Sequence, residues 1–181
     1  MAVHRMIFAG FGGQGILLIG QMMAYAGMRE GKEVTFLPSY GPEMRGGTAN
    51  CTVIVSDGPI SCPIIDKATC VVAMNLPSLL KFENTVETGG SLFINSSLIE
   101  AEAQRDDINV LQVNATEIAK EEGNERVANI VMLGAIVENT GAVKAESIRE
   151  IIKETFSGKK ASLLSVNERA FETGRKVVLG G

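Results

Sequence analysis

The stretch that decides the fold lies near the amino terminus and reads Arg5-Met6-Ile7-Phe8-Ala9-Gly10-Phe11-Gly12-Gly13-Gln14-Gly15. Its first five residues, Arg5–Ala9, form a short apolar run that predicts a strand, and Gly10–Gly15 satisfies the pattern G-x-G-x-x-G. The next segment, Gln14–Arg29, is mostly apolar and compatible with a helix. A strand that leads through glycines into a helix exposes free N–H groups and a partial positive charge at the helix start, which suits a phosphate or a carboxylate.

The rest of the chain continues this alternation of strands and helices. The predicted strands are Val34–Leu37, Asn50–Ser56, Cys70–Met74, Ser91–Asn95 and Asn109–Val113. The predicted helices are Pro77–Glu87, Thr116–Glu122, a buried one at Val127–Val137, one opened by Lys144–Ser147 with Ile148, Ile151, Ile152 and Phe156 on one face, and a terminal one over Leu163–Val178. The pattern therefore predicts an α/β fold of three layers (α/β/α) around a largely parallel sheet, as a single domain over residues 1–181.

The composition excludes several functional classes. The 181 residues include 20 glycines but only three cysteines and one histidine, too few for a four-thiolate iron–sulfur or zinc site or a two-histidine metal centre. A net charge of −4 argues against a general nucleic-acid binder. No targeting or membrane-spanning segment is visible, so we expect a cytoplasmic protein with free thiols and no membrane contact.

The first glycine loop leaves three interpretations open. It could bind an anionic group, it could belong to a dinucleotide site, or it could serve only to pack the helix closely on the strand. A dinucleotide site requires an acidic residue at the end of the second strand, but that strand ends in Leu37-Pro38-Ser39-Tyr40, and Glu33 lies at its other end.

A second loop, Ser39-Tyr40-Gly41-Pro42-Glu43-Met44-Arg45-Gly46-Gly47-Thr48-Ala49-Asn50, joins the second and third strands. In a parallel sheet the end of the second strand lies at the same edge as the first glycine loop, so the two loops can converge. Gly46 and Gly47 leave the Arg45 guanidinium accessible to a large group, and Glu43 either pairs with Arg45 or faces a partner. A solvated charged turn is the alternative, but this density of polar groups and glycines favours binding or docking.

The two loops together resemble the gamma subunit of the 2-oxoacid:ferredoxin (acceptor) oxidoreductases. Gly10–Gly15 is similar to the first glycine loop of that family and Ser39–Asn50 to its second signature, while Asn129–Ala135 resembles its buried helix. The resemblance covers essentially the whole chain. The form of Ser39–Gly47 is most similar to that of the 2-oxoglutarate and branched-chain members.

The resemblance implies a complex that decarboxylates a 2-oxoacid on thiamine diphosphate, reduces ferredoxin through iron–sulfur clusters, and transfers the acyl group to coenzyme A (CoA). It implies alpha, beta and ferredoxin-like delta subunits as partners, with thiamine diphosphate, magnesium and the clusters on those chains. The Gly-Asp-Gly signature for thiamine diphosphate is absent from this sequence, since Asp57-Gly58 has no preceding glycine. We therefore expect neither a catalytic residue nor a metal ligand in this chain. The resemblance at Ser39–Gly47 implies 2-oxoglutarate as the substrate of the complex.

The role expected of this chain is to pack on the catalytic subunits and to help bind CoA, whose phosphates suit a glycine loop and an arginine. The candidate backbone cradle comprises Gly12, Gly13, Gln14 and Gly15. The residues expected to face a ligand or partner are Ser39, Tyr40, Glu43, Arg45 and Gly46. The competing hypotheses are a stand-alone dinucleotide-binding Rossmann-like oxidoreductase and a structural module with no ligand.

Four further expectations concern polar and small residues outside these loops. Asn129, in an otherwise apolar helix, is expected to be a buried amide that holds a neighbouring backbone group. Gly134 is expected to permit close packing, Asn95-Ser96-Ser97 to cap a helix, and His4 to be a surface residue without a catalytic role.

Overall fold

The computed structural model describes residues 2–39 and 48–180, which form one six-stranded sheet and six α-helices. The strands are β1 (Val3–Phe11), β2 (Glu33–Ser39), β3 (Thr48–Ser56), β4 (Ala68–Ala73), β5 (Val86–Asn95) and β6 (Asn109–Val113). The helices are α1 (Ile16–Arg29), α2 (Leu76–Phe82), α3 (Ala115–Glu121), α4 (Ala128–Thr140), α5 (Ala145–Thr155) and α6 (Leu164–Leu179).

The strand order in the sheet is β2-β3-β1-β4-β5-β6. Strands β1, β4, β5 and β6 are parallel to one another, whereas β3 runs antiparallel to both β1 and β2. The predicted α/β fold with a largely parallel sheet is confirmed. The reversal of β3 has a simple cause: residues 40–47 are too few for the crossover of a dozen or more residues that a parallel neighbour would need.

The two faces of the sheet are covered unequally. Met6 and Phe8 of β1 point into the larger core, which also contains residues of α1, α3, α4, α5 and α6, while Ile7 points into a smaller core on the opposite face. That second face is covered by α2, through Leu79, and by irregular segments between the elements. The alternation of consecutive β1 side chains between two cores accounts for a strand that is apolar along most of its length.

The segment after β4 corrects the sequence prediction at Pro77–Glu87. The helix ends at Phe82, one 3₁₀ turn follows over Glu83–Thr85, and β5 already begins at Val86, where it pairs with Ala68. The cause is tertiary, because the buried Glu83 carboxylate accepts backbone hydrogen bonds from Gln104 and Arg105 in a distant segment. Those contacts end the helix earlier than the helix-forming preference of Glu83–Glu87 predicts.

Candidate ligand-binding site

The glycine loop has the geometry expected of a backbone cradle. Strand β1 continues through Gly10 and Phe11, so the turn itself comprises Gly12–Gly15, and α1 starts at Ile16. Gly13 (φ 93°) and Gly15 (φ 70°) both adopt the left-handed conformation that favours glycine. No side chain caps the start of α1 among the described residues, so the N–H groups of its first turn are offered to whatever lies in front of them.

The side chain of Gln14 is engaged within the protein rather than presented to a ligand. Its Oε1 accepts a hydrogen bond from the Phe11 N–H (2.7 Å), and its Nε2 donates to the Met74 carbonyl oxygen (3.3 Å). Gly10 makes room for it, because a Cβ there would lie 2.7 Å from Gln14 Oε1. Gln14 thus joins the ends of β1 and β4, and only its backbone remains a candidate for the cradle.

Asn129 holds the other side of the loop, which confirms the expectation of a buried amide bound to a neighbouring backbone group. Its Nδ2 donates to the Gly15 carbonyl oxygen (3.2 Å), and its Oδ1 accepts from the Ile130 N–H (2.9 Å). A Cβ at residue 15 would overlap the Asn129 amide, so a side chain there would displace this amide as well as oppose the backbone conformation.

A cleft of about 480 Å³ opens beside the loop, between the carboxyl ends of β1 and β4. The chain leaves β1 through α1 on one face of the sheet and leaves β4 through α2 on the other, which makes this the switch point where ligands of open α/β sheets bind. The residues that line it include Gly13, Gln14, Met74, Leu98, Thr116 and Arg126.

The polar lining of the cleft comes mainly from the segments after β6. Thr116 Oγ1 accepts a hydrogen bond from Asn95 Nδ2 (3.1 Å), and the exposed Glu125 and Arg126 add one charge of each sign to the lining. Among the described residues, Asn95 Oδ1 is fully buried without a hydrogen-bond partner. A buried orphan acceptor beside a cleft is a feature that functional sites tolerate and ordinary cores avoid.

The expectation that Asn95-Ser96-Ser97 caps a helix is confirmed for Ser97, although an irregular segment and not a helix follows β5 directly. Ser97 acts as a cap at a distance: its Oγ accepts a hydrogen bond from the backbone N–H of Glu117 in the first turn of α3 (3.1 Å). The capping chemistry was predicted, but the helix it serves lies 20 residues further along the chain.

Only part of the second loop lies in the described structure. Ser39 is exposed at the end of β2 and pairs with Asn50 of β3, which in turn pairs with Ala9 of β1. It therefore lies at the edge of the sheet that carries the glycine loop, two strand spacings or roughly 10 Å from β1. Four of the candidate residues lie outside the described residues: Tyr40, Glu43, Arg45 and Gly46.

A second, smaller groove of about 260 Å³ borders the same glycine loop on the β3 side. Its lining includes Phe11, Gly12, Leu17 and Ala49, and Ala49 follows directly after the first residue of β3. The glycine loop thus separates a polar cleft from an apolar groove, and its exposed Gly12 and Gly13 backbone forms the ridge between them.

The sheet order also bears on the dinucleotide hypothesis. In a dinucleotide fold the second strand lies directly beside the first, so that an acidic residue at its end reaches the ribose. Here β3 separates β2 from β1, and β2 ends in Pro38 and Ser39. The geometry that the hypothesis requires is not formed by the described residues.

His4 lies at the end of β1 opposite the cleft, paired with Val55, and is half-buried rather than fully exposed. Burial, with a smaller contribution from Lys32, lowers its pKa below the usual value of a histidine. Within residues 2–39 and 48–180, no cluster of three or more histidine, cysteine or acidic side chains could hold a metal ion. In the same residues, no helix is both long and apolar enough to span a bilayer.

Comparison with known proteins gives a consistent result. Residues 5–177 match the family described as pyruvate ferredoxin/flavodoxin oxidoreductase. The chain is 39% identical over 171 residues to ketoisovalerate oxidoreductase subunit VorA of Methanothermobacter thermautotrophicus, a match that covers 94% of this chain but 35% of that protein. The chain therefore spans about a third of the length of this curated relative.

Two further matches extend over nearly the full length of both compared chains. The chain is 34% identical to 2-oxoglutarate synthase subunit KorC of Methanothermobacter marburgensis, covering 96% of this chain and 95% of that one. The crystal structure of a keto/oxoacid ferredoxin oxidoreductase gamma subunit from Geobacter sulfurreducens superposes with a TM-score of 0.84 at 32% identity, covering 98% of this chain and 99% of the other.

Proposed function

Because the chain belongs to the pyruvate ferredoxin/flavodoxin oxidoreductase family, we propose that it is the gamma subunit of a multi-subunit 2-oxoacid:ferredoxin oxidoreductase. One observation carries the proposal: sequence and fold agree with a solved gamma subunit over almost the whole of both chains. The complex would convert a 2-oxoacid, CoA and oxidised acceptor to acyl-CoA, carbon dioxide and reduced acceptor. Alpha, beta and ferredoxin-like delta subunits would hold thiamine diphosphate, magnesium and the iron–sulfur clusters.

Within this complex we assign CoA binding to the edge of the sheet that carries the glycine loop. The ligand has phosphates at one end and a long uncharged arm at the other. The polar cleft with Arg126 and the start of α1 suits the phosphates, and the apolar groove beyond Gly12 and Gly13 suits the arm. The bare backbone of the two glycines would let one ligand cross from the cleft to the groove.

We propose 2-oxoglutarate as the substrate of the complex. The proposal is supported by the match to KorC over nearly its full length and by the form of the sequence at Ser39–Gly47. The similarity to a ketoisovalerate subunit makes branched-chain 2-oxoacids the competing substrates.

The experiment that tests this function is purification of the native complex through an affinity tag on this chain. We expect co-purifying chains that contain thiamine diphosphate and iron–sulfur clusters, and CoA-dependent reduction of a viologen dye that is fastest with 2-oxoglutarate. Ketoisovalerate and pyruvate serve as matched substrates in the same assay. Purification without a thiamine-dependent partner would contradict the subunit assignment, and a faster reaction with ketoisovalerate would contradict only the substrate.

A further inference from the structure

Three amide side chains tie together the elements that enclose the cleft. Gln14 joins β1 to the end of β4, Asn95 joins β5 to α3 through Thr116, and Asn129 joins α4 to the glycine loop. Each of these amides comes from the carboxyl edge of the sheet or from the start of a helix at that edge. The width of the cleft is therefore set by side-chain hydrogen bonds between its walls and not by strand pairing alone.

Asn129 connects the glycine loop to the start of α4. It is 4% exposed, its Nδ2 reaches the Gly15 carbonyl oxygen, and the residue before it, Ala128, lines the cleft. The contact is between the first turn of α4 and the residue that caps α1, two helices of 13 and 14 residues. Both helix starts bear partial positive charge.

We propose that Asn129 is a positioning residue, which holds the glycine loop and the start of α4 at the separation at which both can act on one phosphate-bearing ligand. The proposal rests on the proposed function for the identity of that ligand, CoA. Asn129 itself touches no ligand in this scheme, because both of its polar side-chain atoms are occupied by backbone partners.

The physical reason lies in the conformation of the loop. Gly13 and Gly15 have no side chains to restrain the turn. Both adopt positive φ values, and a glycine can leave such a conformation for many other backbone conformations at little cost. Without the Asn129 amide, the Gly15 carbonyl oxygen keeps only the Ile19 N–H of α1 as a donor, so α4 no longer holds the loop, and the space beside Gly15 is left empty. The loop then samples other conformations, and ligand binding must select the productive one at a cost in affinity.

The test compares Asn129→Ala and Asn129→Asp with Asn167→Ala in the native complex. Asn167 is a matched control, because it is 3% exposed and its Nδ2 donates to the carbonyl oxygen of Leu163 (2.8 Å), the residue before α6, instead of to the glycine loop. We expect Asn129→Ala to raise KM for CoA about fivefold or more, with kcat within about twofold, since the hydrogen bond that holds the glycine loop to α4 is lost. Asn129→Asp should raise it further, because it keeps the size of the side chain but replaces the donor by a negative charge.

The control should lower the thermal stability of the complex but leave KM for CoA unchanged. Hydrogen exchange of the free full-length chain gives a second readout that needs no ligand. Peptides that contain Gly12–Ile19 should exchange faster in Asn129→Ala and not in Asn167→Ala.

The outcomes separate the two proposals. An unchanged KM for CoA in Asn129→Ala, or an equal rise in Asn167→Ala, would overturn the positioning role while the proposed function stands. A wild-type complex with no CoA-dependent activity would contradict the proposed function. In that case unchanged exchange at the glycine loop overturns the positioning role, and faster exchange confined to Asn129→Ala supports it.

Discussion

At the scale of single residues, two glycines determine how closely α4 and α6 approach. A Cβ at Gly134 would overlap the Phe171 carbonyl oxygen, and a Cβ at Gly174 would overlap that of Val131. Because these obstacles are backbone atoms, no rotamer change can relieve them. The packing role of Gly134 was predictable from a glycine in an apolar helix, but that of Gly174 depends on which helix faces α4, which residue spacing does not specify.

We predict that Gly174→Ala lowers the free energy of unfolding by about 2 kcal/mol. Alanine in place of glycine gains about 1 kcal/mol of helix propensity, but separating two packed helices costs about 3 kcal/mol, so the clash dominates. Urea denaturation followed by circular dichroism measures the difference. The exposed Lys176→Ala on the same helix should change stability by less than about 0.5 kcal/mol, and a Gly174→Ala chain as stable as the wild type would contradict the close approach.

At the scale of secondary-structure elements, local pattern predicted the existence of each element but not its partners. The apolar run of α4 and the strand β6 were placed within a few residues of their bounds. The end of α2 was placed wrongly because the buried Glu83 binds a segment about 20 residues away. The same kind of distant contact starts α5, whose N-cap residue Lys144 has no side-chain capping bond of its own.

We predict that Glu30→Gln destabilises the protein by about 1 kcal/mol through the start of α5. The Glu30 Oε1, in the turn after α1, accepts hydrogen bonds from the Lys144 N–H (2.6 Å) and the Ser147 hydroxyl (2.8 Å), and so acts as a cap from another element. An amide retains one acceptor but loses the charge that strengthens both bonds and opposes the helix dipole. Urea denaturation measures the loss, and the exposed Glu33→Gln is the control, expected to change little. Equal effects from the two substitutions would contradict the capping role.

At the scale of the whole molecule, the position of the site was predictable and much of its lining was not. The glycine loop and the end of β2 were expected at one edge, and Ser39 does lie at that edge, although an antiparallel β3 brings it there. Thr116 and Arg126 were missed as lining residues because they follow the loop by about 100 residues, and only the strand order reveals that α3 and the start of α4 face it. The one sequence signal for that wall was Asn129, a polar residue inside an apolar helix.

The prediction that residues 1–181 form a single domain can be tested with the three thiols. Cys51 and Cys70 lie in the same core cluster, and burial raises the pKa of both thiols to about 12, whereas Cys62 is exposed. At pH 8 in the native state, a thiol reagent should label Cys62 alone. In a Cys62→Ser chain titrated with urea, Cys51 and Cys70 should become reactive with one midpoint, equal to that of circular dichroism, because one cooperative core protects both. Separate midpoints for the two cysteines would mean that β3, which carries Cys51, can unfold while β4, which carries Cys70, remains folded. The single-domain prediction would then be wrong.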